Sequence, residues 1–200
     1  GNDPMVSFNV GNGGFDWTIG VDNSDGDKFK ISGGTDSHNP NLGTNDRLTI
    51  DSSGATFSGD VILSGDSNLV LDTSIAANQS SGITIKIGAT TVAANKIYYY
   101  SAAGGWTLAD NTTAASAAAM GLLAYAPAAG TASTIGMVTE GIVFDSAHGW
   151  HIGAILYLTT SGDLTTTLPT TSAYTVRIVG YVLTADEIYF KPDSTYILLD

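Results

Sequence analysis

The sequence predicts an all-β protein with two regions. Residues 1–77 form an elongated, shaft-like β-segment, and residues 78–200 form a compact β-barrel or β-sandwich domain with one short helix. Runs of about four to eight residues alternate between apolar and polar side chains, as in strands with one buried face. The chain contains 24 Gly, and Gly, Asp, Asn and Ser separate the runs, as in tight turns. A single segment has a helical composition.

The first predicted element is a β-hairpin in the stretch FDWTIGVDNSDGDKFKIS, residues 15–32. Apolar residues alternate with Asp, Thr, Gly and Lys on both sides of the turn cluster NSDG, which is typical of two strands joined by a short turn. The apolar positions are Phe15, Trp17, Ile19, Val21, Phe29 and Ile31. Both strands therefore present an apolar face that needs a cover.

The cover of this face is the main question that the N-terminal region raises. Residues 6–75 contain further short runs, among them RLTIDSS, ATFSGDVILSG and NLVLD, and one such chain buries little apolar surface. Three copies wound together bury each strand against its neighbours. This hypothesis predicts a homotrimer with Phe15, Trp17, Ile19, Phe29 and Ile31 in its core. The alternative is that the second half of the same chain covers the face.

The small polar stretch AANQSSG, residues 76–82, is the predicted domain boundary. Beyond it, a helix is predicted in TTAASAAAMGLLAYAP, beginning at Thr112 or Thr113, running through Ala119 and ending at Gly121. The other predicted elements are strands at 83–87, 96–101, 133–144, 175–183 and 187–192, and a hairpin at 153–167 with the turn SGD. Seven or more strands with one helix are typical of a small barrel or sandwich.

Composition and charge exclude several classes of partner. The net charge is −12, so phosphate backbones and anionic lipids repel the chain, and neither nucleic acid nor membrane insertion is expected. The sequence has no Cys and no apolar stretch of the ~18–20 residues that span a bilayer. The start GNDPM lacks the features of a signal peptide; a cloning scar or a cut within a longer chain accounts for it.

The sequence contains no strong catalytic or metal-binding motif. Its only glutamates are Glu140 and Glu187, and most Asp residues occupy turns, so no catalytic pair is predicted. His148 and His151 flank a Trp without a third ligand nearby, and the acidic run at 22–27 does not fit the calcium loop of an EF-hand. No metal, cofactor or enzymatic activity is expected.

Aromatic residues in the second half are the candidate binding groups. Tyr and Trp are frequent on carbohydrate-binding and protein-binding surfaces because they combine apolar area with a polar tip. Tyr99, Trp150 and Tyr174 are the candidates for a glycan-binding surface, and packing in the core is the alternative for each. The three consecutive tyrosines at 98–100 place Tyr99 on the opposite face from its neighbours, which predicts one core face and one exposed or interface face.

Two parts of the chain resemble proteins of tailed phages. The segments WTIGVDNSDGDKFKIS and LGTNDRLTIDSSG, within residues 15–61, resemble shaft segments of fibre and tail proteins. The segments NKIYYYSAAGGWTLADNTTAASAAAMGLLAYAP and GAILYLTTSGDLTTTLPTTSAYTVRIVGYVL, within residues 95–198, are similar to small β-domains of head-decoration (cement) proteins and fibre ends. The chain departs from these proteins in being short for a complete fibre and in lacking a recognisable anchoring region.

The resemblance implies a non-enzymatic virion structural protein and most often a homotrimer. The first hypothesis is a tail or head fibre that contacts other capsid or tail proteins and attaches to a host-surface glycan or protein through its terminal domain. A capsid-decoration protein that stabilises the head is an alternative. A fragment of a polysaccharide-degrading tailspike is a further alternative.

Overall fold

The computed structural model describes residues 3–8, 16–33, 42, 45–58, 71, 75–112, 119–146 and 148–200. The protein is mostly β, which confirms the predicted class. Contacts divide the chain into two units, Gly1–Asn68 and Leu69–Asp200.

The first unit contains a five-stranded antiparallel sheet in which the strands follow chain order. The strands are β1 (Met5–Phe8), β2 (Trp17–Asp22), β3 (Lys28–Gly33), β4 (Asp46–Asp51) and β5 (Gly54–Phe57). Neighbours in sequence are neighbours in the sheet, and short turns join β2 to β3 and β4 to β5. β1 was not among the predicted strands.

The predicted hairpin is confirmed in strands β2 and β3, with Phe15 lying outside the described residues. The two strands pair from Trp17 opposite Gly33 to Asp22 opposite Lys28. The carboxylate of Asp22 accepts a hydrogen bond from the Ser24 backbone N–H at 3.0 Å and so caps the short 3-10 turn between the strands. This turn explains why the cluster NSDG terminates the alternation.

The second unit is built around a nine-stranded sheet that curls into a half-barrel. Its first strands are β6 (Ser80–Ile85), β7 (Thr91–Val92), β8 (Lys96–Tyr100), β9 (Trp106–Leu108), β10 (Leu123–Ala126), β11 (Gly130–Thr131) and β12 (Met137–Phe144). The remaining strands are β13 (Ile155–Leu158), β14 (Leu164–Thr165), β15 (Thr175–Val176), β16 (Ile178–Val182), β17 (Glu187–Phe190) and β18 (Ile197–Leu198).

The strand order of the large sheet is β14-β13-β16-β17-β12-β10-β8-β9, and β6 pairs with β12 away from this path. Strand pairs β7–β11 and β15–β18 form two small additional sheets. The predicted hairpin at 153–167 is confirmed, because β13 and β14 pair across a 3-10 turn at Thr160–Gly162.

Two clusters of buried side chains form the core of the second unit. The larger cluster includes Tyr125 and Phe190, whose ring centroids lie 5.8 Å apart at an interplanar angle of 50°. The smaller cluster includes Tyr98 and Trp106. Strand β10 is buried at all four of its residues, so both of its faces contact apolar neighbours.

The helix content differs from the prediction in one place. The predicted strand at 133–144 begins only at Met137, because the four-residue helix α1 (Ala132–Ile135) precedes it. Gly136 has a φ of 80° and ends this helix. Of the helix predicted before Gly121, residues 113–118 lie outside the described residues, and Ala119 adopts helical geometry.

The predicted boundary stretch at 76–82 lies within the second unit, and its last three residues begin strand β6. Gly82 pairs with Gly141 of β12. A Cβ on Gly82 would lie 2.3 Å from the carbonyl oxygen of Glu140, so this close backbone approach requires glycine. Small polar residues indicated a linker, whereas here they permit strand pairing.

Candidate functional surfaces

The first candidate surface is one side of the N-terminal sheet. Side chains that alternate along each strand point to the same side when the strands are in register. One row across the sheet contains Val6, Ile19, Ile31, Leu48 and Phe57, each opposite the next. With its neighbouring rows, this surface, called the apolar face below, contains Val6, Phe8, Trp17, Ile19, Val21, Phe29, Ile31, Leu48, Ile50, Ala55 and Phe57.

The apolar face is open to solvent in the single chain. Its four aromatic side chains are exposed to 50% at Phe8, 40% at Trp17, 37% at Phe29 and 52% at Phe57. With about 200 Å² for a whole aromatic side chain, these four residues expose about 360 Å². The largest apolar patch of a typical monomer is about 300–600 Å², so the aromatic residues alone reach that range before the aliphatic residues are added.

The predicted trimer-core residues Trp17, Ile19, Phe29 and Ile31 all lie on the apolar face. Trp17 and Phe29 are exposed, and Ile19 and Ile31 are half-buried. The structure thus places these residues together on one surface, where Trp17 and Phe29 remain exposed.

The opposite side of the same sheet is polar and, along β2 and β3, largely buried, the reverse of an ordinary half-buried sheet. Thr18 and Ser32 are fully buried, and Lys30 is 3% exposed. Ser32 Oγ donates to Asp46 Oδ1 at 2.5 Å. The hydroxyls of Ser7 and Thr18 lie 3.0 Å apart.

Lys30 is the centre of this polar side. Its ammonium group contacts Asp22 at 2.8 Å, Asp25 at 2.8 Å and Asp46 at 3.0 Å. Lys30 and Ser24 hydrogen bonds lower the pKa of Asp22 to about 2. Burial acts to lower the pKa of Lys30, but the hydrogen bonds to the three carboxylates outweigh it and raise the pKa above its ordinary value. The cluster joins β2, β3 and β4 on the side opposite the apolar face.

In the second unit, the two glutamates lie apart along the sheet. Glu140 accepts hydrogen bonds from Lys191 at 3.0 Å and from Tyr189 at 2.8 Å. Both hydrogen bonds lower the pKa of Glu140, and the one from Lys191 has the larger effect. Glu187 pairs with Phe144, four residues along β12 from Glu140, or about 13 Å of strand. Glycosidase carboxylates lie about 5–10 Å apart across a substrate, and the backbones of this pair are farther apart than that.

The two histidines around Trp150 differ in their surroundings. His148 stacks on Trp150 with ring centroids 4.8 Å apart, and its Nδ1 accepts a hydrogen bond from the Trp150 backbone N–H at 3.2 Å. His151 is exposed. In the described part of the chain, no group of three or more His, Asp or Glu residues is placed to hold a metal ion.

The three candidate aromatic residues occupy different surroundings. Tyr99 and Trp150 are half-buried and pack against the larger core cluster. The other face of the tyrosine run contains Tyr98 and Tyr100, which pack in and against the smaller cluster. Both faces of β8 thus contact core residues, and Tyr99 and Tyr100 remain partly exposed. Tyr174 lines an open cleft.

This cleft is the second candidate surface. Its volume is about 400 Å³. Six of its ten described lining residues come from the segment that follows strand β14. The lining residues are Asn111, Thr159, Thr160, Thr165, Thr167, Leu168, Pro169, Thr170, Thr171 and Tyr174.

Backbone hydrogen bonds fix the position of Tyr174 in the cleft. Its N–H donates to the Thr171 carbonyl at 3.1 Å, and its own carbonyl accepts from the Leu199 N–H at 2.9 Å. The next residue, Thr175, donates its N–H to the Asn111 carbonyl at 2.7 Å. Asn111 and Tyr174, which are 63 positions apart, therefore lie on adjoining walls.

Sequence reasoning missed Asn111, Lys30 and Arg177. Arg177 is 7% exposed and donates hydrogen bonds to the carbonyls of Ala119, Gly121 and Asp193. Burial lowers the pKa of Arg177 from its ordinary value. A basic residue in an otherwise apolar strand run, TVRIVGYVL, was the available signal, because an isolated cation within a strand is buried only when it is paired.

Comparison of the chain with protein-family models, with curated protein sequences and with solved structures finds no significant match. Across the described residues, no helix has the length and apolar character needed to cross a bilayer.

Proposed function

We propose that this chain is a non-enzymatic structural protein of a tailed-phage virion. Three copies associate through the apolar face into the elongated shaft of a tail or head fibre. The second unit is the terminal domain that contacts the host surface. The exposure of the apolar face in the single chain is the observation that carries this proposal.

The size of the apolar face suits contact with further copies. Burying the exposed aromatic area of one chain corresponds to about 9 kcal/mol of gross transfer free energy, at about 25 cal/mol/Å². A stable interface buries about 800 Å² per partner, which the complete face approaches when its aliphatic residues are included. Three such faces turned toward one axis enclose a continuous apolar core.

The chemistry of the face also favours copies of this chain as its partner. None of its eleven residues is charged. Contact through this surface keeps the acidic residues of three chains, each of net charge −12, away from the interface. The Lys30 cluster links β2, β3 and β4 on the opposite side, and a surface whose strands are already held together loses less entropy on association.

Light scattering of the full chain in solution, combined with small-angle X-ray scattering, tests the proposal. The expected result is a mass of three times 20.6 kDa and an elongated profile. A monomer at all concentrations overturns the trimeric fibre and favours cover from within the chain. A dimer overturns the three-fold arrangement.

Two neighbouring residues of β5 provide a matched pair of variants. Phe57 lies on the apolar face and Thr56 on the polar side, and both are exposed. Phe57→Asp is expected to dissociate the trimer because it places a carboxylate in an apolar interface. Thr56→Asp carries the same charge and is expected to leave the mass unchanged. Equal masses for the two variants would show that the apolar face is not the interface between the chains.

Placement on the virion requires particles of the phage that encodes the chain. Antibodies against the chain, visualised by immunogold electron microscopy, are expected to label fibres. Uniform labelling of the capsid shell would instead support a decoration protein and overturn the fibre assignment.

A further inference from the structure

The cleft at Tyr174 has the size and lining of a ligand site. Its volume of about 400 Å³ lies within the range of about 300–1,000 Å³ found for small-molecule pockets. Its walls combine hydroxyl groups with apolar area from Leu168 and Pro169. Such mixed lining suits a ligand that is itself polar at its edge and apolar on its face.

The Asn111 side chain is a closed part of the cleft wall. Asn111 is 2% exposed, and its Oδ1, which accepts no hydrogen bond from the described residues, is enclosed and out of reach of a ligand in the cleft. The groups that a ligand can contact are therefore Tyr174 and the exposed threonines.

We propose that this cleft binds one unit of a neutral saccharide, with Tyr174 against the sugar ring and the exposed threonine hydroxyls at its edge. An aromatic side chain offers an apolar face to the C–H face of a sugar and a hydroxyl to its edge. Backbone hydrogen bonds on both sides of Tyr174 fix its main chain before binding, so only its side chain has to be ordered.

The threonines match the hydroxyl groups of a sugar. A threonine hydroxyl donates one hydrogen bond and accepts others, as sugar hydroxyls do. Thr160, Thr167, Thr170 and Thr171 are exposed around the cleft, so their hydroxyls are open to a ligand.

The charge of the site selects a neutral ligand. None of the lining residues is Asp, Glu, Lys, Arg or His. The chain as a whole has a net charge of −12, so it repels sialylated, uronic or phosphorylated sugars. A role of this cleft in host attachment rests on the proposed fibre function, whereas saccharide binding by the cleft does not.

Saturation-transfer NMR of the full chain tests the proposal. The neutral probes are maltose, lactose and N,N′-diacetylchitobiose, and 3′-sialyllactose is the anionic probe. The expected result is saturation transfer to at least one neutral probe at millimolar concentration. No transfer to any neutral probe overturns the proposal, and stronger binding of sialyllactose than of lactose overturns the choice of a neutral ligand.

Three variants locate the binding. Tyr174→Ala and Thr170→Arg are each expected to weaken binding at least tenfold. Thr170 is exposed, so this second variant blocks the cleft without disturbing the core. Tyr181→Ala removes a tyrosine that is 40% exposed in β16 and does not line the cleft, and it is expected to bind as the unmodified chain does. Equal affinity of all three variants would place the binding elsewhere.

Light scattering on the same samples separates the two proposals. Saccharide binding by a monomer would support the cleft proposal and overturn the trimeric fibre. A trimer that binds none of the neutral probes would support the trimer and overturn the cleft proposal.

Discussion

Replacement of Lys30 by methionine tests whether the buried ion cluster stabilises the N-terminal sheet. Lys30→Met keeps most of the side-chain volume and leaves Asp22, which is 2% exposed, beside an uncharged neighbour. Removing one partner of a fully buried ion pair costs about 3–5 kcal/mol. Because Asp25 is 47% exposed and Asp46 is 19% exposed, water compensates in part, and we expect a loss of about 2 kcal/mol for Lys30→Met.

Urea unfolding followed by hydrogen exchange measures this loss within the first unit. Peptides that cover 17–33 and 46–57 report on the sheet alone. With an m-value of about 1–2 kcal/mol/M, the midpoint falls by about 1–2 M. Lys28→Met is the matched control, since Lys28 lies in the same strand and its ion pair with Asp25 is partly exposed and therefore weak. Equal midpoints for the two variants would refute a stabilising role for the buried cluster.

The pH dependence of the sheet gives a second measurement on the same variants. The pKa of Asp22 is about 2 in the folded chain and 3.8 ordinarily, so its contribution is complete above about pH 4 and is lost as the pH falls toward 2. The pKa of Lys30 is raised, so its contribution is complete below about pH 10.5 and is lost at higher pH. Lys30→Met is expected to weaken the acid dependence and to abolish the alkaline one. An unchanged acid transition would contradict this assignment.

Two further predictions concern the second unit. Phe190→Ala removes a 1% exposed ring that packs on Tyr125, and urea unfolding followed by Trp fluorescence should show a loss of about 3–5 kcal/mol; a loss below about 1 kcal/mol would show that the core collapses into the space. Arg177→Met leaves three backbone carbonyls without their donor and should cost about 3 kcal/mol by the same measurement. Arg177→Lys should restore only part of this, because an ammonium group lacks the spread donors of guanidinium, and full restoration would contradict the three-contact geometry.

Local patterns in the sequence were sufficient for most strands. The hairpin of β2 and β3 follows from period-two alternation around a turn whose first residue, Asp22, caps it. The strand at KIYYYS and the hairpin of β13 and β14 follow in the same way. Helix α1 was missed because four residues are too few to show a helical period.

These local patterns could not predict which strands pair when they are far apart in the sequence. Strand β6 pairs with β12 more than fifty residues later, and the stretch that begins it reads as a linker from composition alone. Of the candidate glycan-binding residues, Tyr174 was placed in a cleft only by the structure, because its neighbour Asn111 is remote in sequence. The orphaned acceptor of Asn111 is likewise visible only when the surrounding atoms are present.

The sequence by itself determined that the protein is all-β, and that the residues of β2 and β3 alternate between an apolar and a polar side. Which side is buried was decided only by the tertiary structure. Lys30 forms ion pairs with carboxylates from the 3-10 turn and from β4, and these pairs offset the free-energy cost of burying the polar side. Trp17 and Phe29, on the other side, remain exposed. Alternation in the sequence shows that the two sides of a strand differ in polarity. Which side is buried depends on residues elsewhere in the chain that contact it.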